Sequence, residues 1–127
     1  MEIEVIDIGV EIHVTPLEKV FIEPSLISVE FDDVDENRWR ISFNPCQGFK
    51  MTTIDCIDTK LLLVDGKRPC SLLKVNNSRW IKELKNVLKQ KDHTANFMDE
   101  SNHYIFPFQD NIIEVAAMSS FKVENID

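Results

Sequence analysis

Between His103 and Ala117 the chain reads HYIFPFQDNIIEVAA, and this stretch constrains the fold more than any other. Two apolar runs, Tyr104 to Phe108 and Ile112 to Ala117, flank Gln109-Asp110-Asn111, the pattern of two strands joined by a short turn. Side chains alternate across a strand. Tyr104, Phe106 and Phe108 therefore share one face, with Ile105 and Pro107 opposite, and Ile113, Val115 and Ala117 oppose Ile112, Glu114 and Ala116. Both faces are partly apolar, which places the hairpin between two layers. A turn centred on Asp110 pairs positions that sum to about 220, setting Glu114 against Phe106 and His103 against Ala117. In that register His103, Asp110 and Glu114 do not converge. Asp110 then reads as a turn residue and His103 as a satisfied sheet histidine rather than a ligand or acid–base pair.

The remaining segments supply a sheet and one helix. Residues 2–8 alternate acidic and apolar side chains, with a parity shift at Val5-Ile6, after which Ile6 and Ile8 oppose Asp7, that implies a bulge or a change of exposure, and Val10, Ile12 and Val14 resume the pattern after Gly9. Pro16 and Pro24 bracket LEKVFIE, open between an edge strand and a turn of helix. Leu26–Phe31 (Ile27, Val29 and Phe31 on one face) and Arg38–Phe43 (Trp39, Ile41 and Phe43 on one face) form a hairpin with an acidic tip. Phe49–Ile57 is a strand. Leu61–Val64 and Pro69–Val75 read as a loose hairpin around Asp65-Gly66. Residues 78–91 form the one helix, capped by Asn76, Asn77 or Ser78, with Trp80, Ile81, Leu84, Val87 and Leu88 as its apolar stripe and Trp80 as its anchor on the sheet. Asp92 to Asn102 is polar loop. The expectation is an α+β fold in a single domain, 1–127: a twisted antiparallel sheet, curled toward a barrel, with that helix packed flat on it.

Charge is distributed in blocks. Residues 1–36 carry 11 acidic and one basic side chain, residues 37–91 four and 12, and residues 92–127 seven and one. An acidic part of the fold should therefore adjoin a basic one. A net charge of −8 argues against a general nucleic-acid binder. No apolar run approaches the roughly 18 to 20 residues of a membrane span. The N-terminus lacks the basic region of a signal peptide, so a cytoplasmic location is expected. Cys46, Cys56 and Cys70 leave one odd and show no metal-ligand spacing, which reads as reduced, mostly buried thiols. Neither they nor the Asp55/Asp58 pair builds a nucleophile or a calcium loop. No Walker loop, dinucleotide, zinc-protease or hydrolase motif occurs. No catalytic residue, metal or cofactor is expected.

RWRISFNPCQGFKMTTIDC, NNSRWIKELK and HYIFPFQDNIIEVAA, spanning residues 38–118, resemble a group of small bacterial proteins. In these a strand ending in an aspartate–cysteine pair leads to a helix opened by Trp and then to a C-terminal hairpin. The resemblance implies one helix against an antiparallel sheet, in proteins similar to the immunity proteins encoded beside bacterial toxins. It brings no catalytic residues with it. The expected function is thus non-enzymatic binding of a basic protein partner, a nuclease toxin for example, through the carboxylates Asp32, Asp33, Asp35 and Glu36 of the acidic tip. The alternative is a ligand-binding domain or enzyme whose pocket, lined by Trp80, Phe106 and Cys56, lies between helix and sheet.

Overall fold

A computed structural model describes residues 2–13, 17–118 and 120–127. Ten strands run in chain order: β1 (Glu2–Ile6), β2 (Ile12–His13), β3 (Lys19–Glu23), β4 (Leu26–Asp33), β5 (Arg38–Phe43), β6 (Cys46–Thr53), β7 (Leu72–Asn76), β8 (Ser101–Pro107), β9 (Asn111–Met118) and β10 (Phe121–Asn125). One α-helix, α1 (Arg79–Lys91), and two short 3₁₀ turns, Ile54–Cys56 and Thr59–Leu62, complete the described elements. The fold is α+β, and among the described residues all strand pairs are antiparallel.

The strands make two five-stranded sheets. The first has the order β1-β7-β8-β9-β6; the second runs β10-β5-β4, with β2 and β3 both paired to β4. Ile27, Val29, Phe31, Ile41 and Phe43 of the second sheet meet Leu72, Tyr104, Phe106, Ile113 and Val115 of the first in one shared core. Phe43 is central to it: its ring lies 5.2 Å from Tyr104, 5.5 Å from Phe121 and 6.0 Å, edge-on, from Phe106. Such tilted and edge-on contacts suit the ring quadrupole. The expected antiparallel sheet is therefore present as two sheets curled around one core.

The β8–β9 hairpin has both faces covered, as its two-sided apolarity requires. Tyr104, Phe106 and Val115 face the other sheet. Ile105 and Ile112 join Leu73, Val75 and Leu62 in a smaller cluster on the outer side, with Ile54 and Ile57 of the 3₁₀ segment packed on it. The register differs from the sequence expectation by one residue: Ile105 lies opposite Glu114 and His103 opposite Ala116. Phe108 is the cause. It leaves the strand, its N–H donating to the Phe106 carbonyl at 3.1 Å, and its ring stacks on Phe106 at 5.7 Å, 1% exposed. The loop thereby gains a residue and every pairing shifts.

Other segments also depart from expectation. The segment after Pro16 is an edge strand, β3, and the parity shift at Ile6 is a change of face within a regular register. Val14 and Pro16 lie outside the described residues. The strand expected at Phe49–Ile57 begins at Cys46 and stops at Thr53, where Ile54–Cys56 turns as 3₁₀ helix. Asp65-Gly66 is a turn with both φ positive, but it closes only the bridge Val64–Lys67. Thus 61–64 and 69–75 are not paired strands, and β7 instead joins β1 and β8. Strand β8 starts at Ser101, inside the expected loop, and β10 was not foreseen.

Candidate functional site

Three polar regions are candidates. The first lies under α1. Ser78 caps the helix: its hydroxyl accepts the Ile81 N–H at 3.2 Å. The same oxygen lies 2.7 Å from His103 Nδ1, and His103 Nε2 lies 2.7 Å from Glu114 Oε1. His103 and Glu114 are diagonal neighbours on the outer face of β8 and β9, a relation that the one-residue shift creates. Their convergence corrects the sequence reading, which kept them apart; Asp110 is where that reading put it, in the turn. The His103 hydrogen bond, foremost, holds the Glu114 carboxyl below its ordinary range against the opposing effect of burial, with Lys50 assisting. Lys50 Nζ also stands 4.3 Å above the Trp80 ring, and Trp80 meets His103 edge-on at 5.0 Å.

A serine, a histidine and a carboxylate in line can serve nucleophilic catalysis. Here Ser78 is 7% and His103 5% exposed, both ring nitrogens are engaged, and the serine oxygen is committed to the helix end. The arrangement fastens the start of α1 to the sheet. The proposed lining of Trp80, Phe106 and Cys56 is contradicted: Phe106 is buried between the sheets, Trp80 lies over the outer face, and Cys56 is exposed on a 3₁₀ turn. The three residues share no cleft.

The second region is the β4–β5 hairpin, which places the four acidic tip residues unequally. Asp33 is buried: its Oδ1 accepts the N–H groups of Asp35 (2.8 Å) and Asn37 (3.0 Å), and its Oδ2 accepts the Trp39 indole N–H at 2.9 Å. Those bonds, the indole's foremost, hold its carboxyl below the ordinary value. Asp32 accepts from Arg38 at 3.0 Å. Of the four only Asp35 and Glu36 are exposed, on a turn in which Glu36 has φ +66°. Two of the four carboxylates thus build the tip and two are presented by it.

The third region, the outer face of the second sheet, was not foreseen as a site. Cross-strand register lays Lys19, Glu30, Arg40 and Glu124 in one row and Phe21, Ser28, Ser42 and Lys122 in the next. Arg40 donates to Glu30 through Nε (3.1 Å) and Nη2 (2.9 Å), and the Ser28 and Ser42 hydroxyls are 3.0 Å apart. A groove of about 320 Å³ runs over these residues, with Phe21, Glu23, Leu26 and Glu124 also lining it. A second, near the hairpin, is lined by Leu17, Lys19, Asp32, Glu36, Arg38 and Asp127. Carboxylates outnumber bases in both. The signal in the sequence was the alternation Arg38-Arg40-Ser42 opposite Ser28-Glu30-Asp32.

Asp58, one of the Asp55/Asp58 pair, caps the second 3₁₀ turn by accepting the Lys60 N–H at 3.1 Å. The thiols are free, but Cys56 and Cys70 are exposed and only Cys46 is half-buried, which corrects the expectation of mostly buried cysteines. Among the described residues no helix is long and apolar enough to cross a membrane. Compared with protein-family models, curated proteins and solved structures, the chain matches none.

Proposed function

We propose that the chain is a non-enzymatic binding protein that meets a basic protein partner through the carboxylates of its second sheet and hairpin tip. The particular form of this reading is an immunity protein that covers the phosphate-holding cleft of a toxin. The observation that carries it is the excess of carboxylate over base on one side of the molecule. Glu23, Glu30 and Glu124 line one groove with Arg40, and Asp32, Glu36 and Asp127 line the other with Lys19 and Arg38. Glu30 and Asp32 are neutralised by the arginines across the strand and Glu124 by Lys122, so Glu23, Asp35 and Glu36 are the groups left to face a partner. A surface of this kind steers a cationic partner and suppresses anionic ones. It also suits a cleft built for phosphate, where carboxylates replace the missing anion.

The test is co-expression with the protein encoded by the neighbouring reading frame. The proposal expects a complex that co-purifies at low salt and protects cells from that protein. It expects Glu23→Gln/Asp35→Asn/Glu36→Gln to weaken both effects without unfolding the chain. Protection that survives this triple change, or that occurs without a complex, would remove the acidic surface from the function.

A further inference from the structure

Strand β3 has one paired side and one open side. Among the described residues it pairs only with β4, leaving its other edge of N–H and C=O groups without a strand. Soluble proteins usually blunt such an edge with inward charges, proline or a bulge. This one instead carries Phe21, 51% exposed, and Ile22, 63% exposed, at its centre. The charges sit at its ends: Lys19 at the start and Glu23 at the finish.

The order Lys-Val-Phe-Ile-Glu is complementary to itself when reversed. In an antiparallel pair of two β3 strands centred on Phe21, Lys19 of each copy lies opposite Glu23 of the other. Val20 lies opposite Ile22, and the two Phe21 rings meet on the two-fold axis. The faces agree as well. Lys19, Phe21 and Glu23 project from the outer side of the sheet, opposite Glu30, Ser28 and Leu26 of β4, while Val20 and Ile22 project from the other side. Every residue thus meets a compatible one on its own face, which is the requirement of an isologous two-fold contact. The other terminal strand of this sheet, β10, lacks the feature. Its Phe121 and Val123 pack on the core, and its Lys122 is already 3.4 Å from its own Glu124.

We infer that β3 is a self-association edge, at which a second copy of this chain adds its own β3 antiparallel and in register about Phe21, making one continuous ten-stranded sheet. Five residues extend over about 17 Å. The contact is short, so the dimer forms in a concentration-dependent way.

Sedimentation velocity over a concentration series up to about 1 mM, a range that reaches weak complexes, tests this directly. The wild-type chain should shift from monomer to dimer. Lys19→Glu places two carboxylates opposite each other at both ends of the seam, and Glu23→Lys places two ammonium groups there. Each alone should weaken dimerisation about tenfold or more. The two variants mixed in equal amounts should associate again, because each supplies the charge the other lacks.

Lys19 also faces Glu30 within the fold. Far-ultraviolet circular dichroism therefore checks that Lys19→Glu is folded, and Phe21→Glu with Phe21→Lys provides a second complementary pair at an exposed position. A wild-type chain that stays monomeric across the series overturns the inference. So does a folded complementary mixture that fails to associate where the wild type does, since the seam would then lie on another surface.

Discussion

Asp33 shows how one side chain can be misread from its neighbours. In the run Asp-Asp-Val-Asp-Glu it is one acid of four, and nothing in the string marks it as the member that turns inward. The signal was Trp39, whose indole N–H needs an acceptor when its ring is partly buried. His103 and Glu114 were each legible as polar residues on an otherwise apolar hairpin. Their contact was not, because a single inward-folding residue, Phe108, decides whether they share a face. Two predictions belong at this scale. Ser78→Ala removes the helix cap and leaves buried His103 Nδ1 without its partner, and should cost about 2 kcal/mol in a urea melt. Loss of less than about 0.5 kcal/mol, the range of an unremarkable surface change, would show that the chain from Ser78 to Glu114 does not hold the helix. The second prediction concerns acid. Glu114 and Asp33 both have folded pKa values below their ordinary values of 4.5 and 3.8. Their stabilisation is therefore complete above those ordinary values and is lost as the pH falls through the lowered folded ones. Glu114→Gln should be less stable than the wild type at neutral pH, and the gap should narrow as a series of thermal melts descends below pH 4.5. A gap that is constant across the series would mean that Glu114 is not held ionised by His103.

At the scale of elements, the helix and the Leu26–Phe31 and Arg38–Phe43 strands were the most legible parts, because each has a clean period. The cap, the start at residue 79 and the end at Lys91 follow the pattern closely. What periodicity did not give is the depth of the helix's seat. Of the residues in α1 only Ile81 is buried, Val87 is 52% exposed, and its contacts with the sheet are concentrated on β8. The stripe is thus wider than the surface beneath it. Trp80 anchors through its ring edge against Gly48, where an added Cβ would lie 2.9 Å from the indole. Since Trp80 is only partly buried, Trp80→Ala should cost about 2 to 3 kcal/mol by chemical denaturation, below the roughly 3 to 5 kcal/mol of a fully buried tryptophan. A melt that overlays the wild type would place the ring in solvent. Strand β10 is not legible in the sequence because Phe-Lys-Val-Glu-Asn is short and its partner, β5, lies far off in sequence. The cysteines sit on elements of different exposure. Cys46 donates to the Gly48 carbonyl at 3.2 Å, and burial, more than that contact, sets its thiol pKa, raising it. A thiol reagent should therefore modify Cys56 and Cys70 quickly and Cys46 slowly. Three equal rates would contradict the burial of Cys46.

For the whole molecule, the block pattern of charge carried real information. The acidic N-terminal block supplies β4 and the basic middle supplies β5, and the two meet as Asp32–Arg38 and Glu30–Arg40 across adjacent strands. These pairs are part-buried, and they consume charge: they cancel two of the acids and leave Glu23, Asp35 and Glu36 on the same side. The split into two sheets was not legible, since it depends on which strands pair over long separations, and the pairing of β1 with β7 or β10 with β5 leaves no local trace. The central claim is that the remaining carboxylates recruit a basic protein. The most direct measurement is the association rate against ionic strength, with the protein of the neighbouring reading frame as partner. The wild-type chain should associate fast at low salt and slow steeply as salt rises, while the Glu23→Gln/Asp35→Asn/Glu36→Gln variant should start several-fold slower and respond weakly. Identical salt slopes for the two chains would contradict the account.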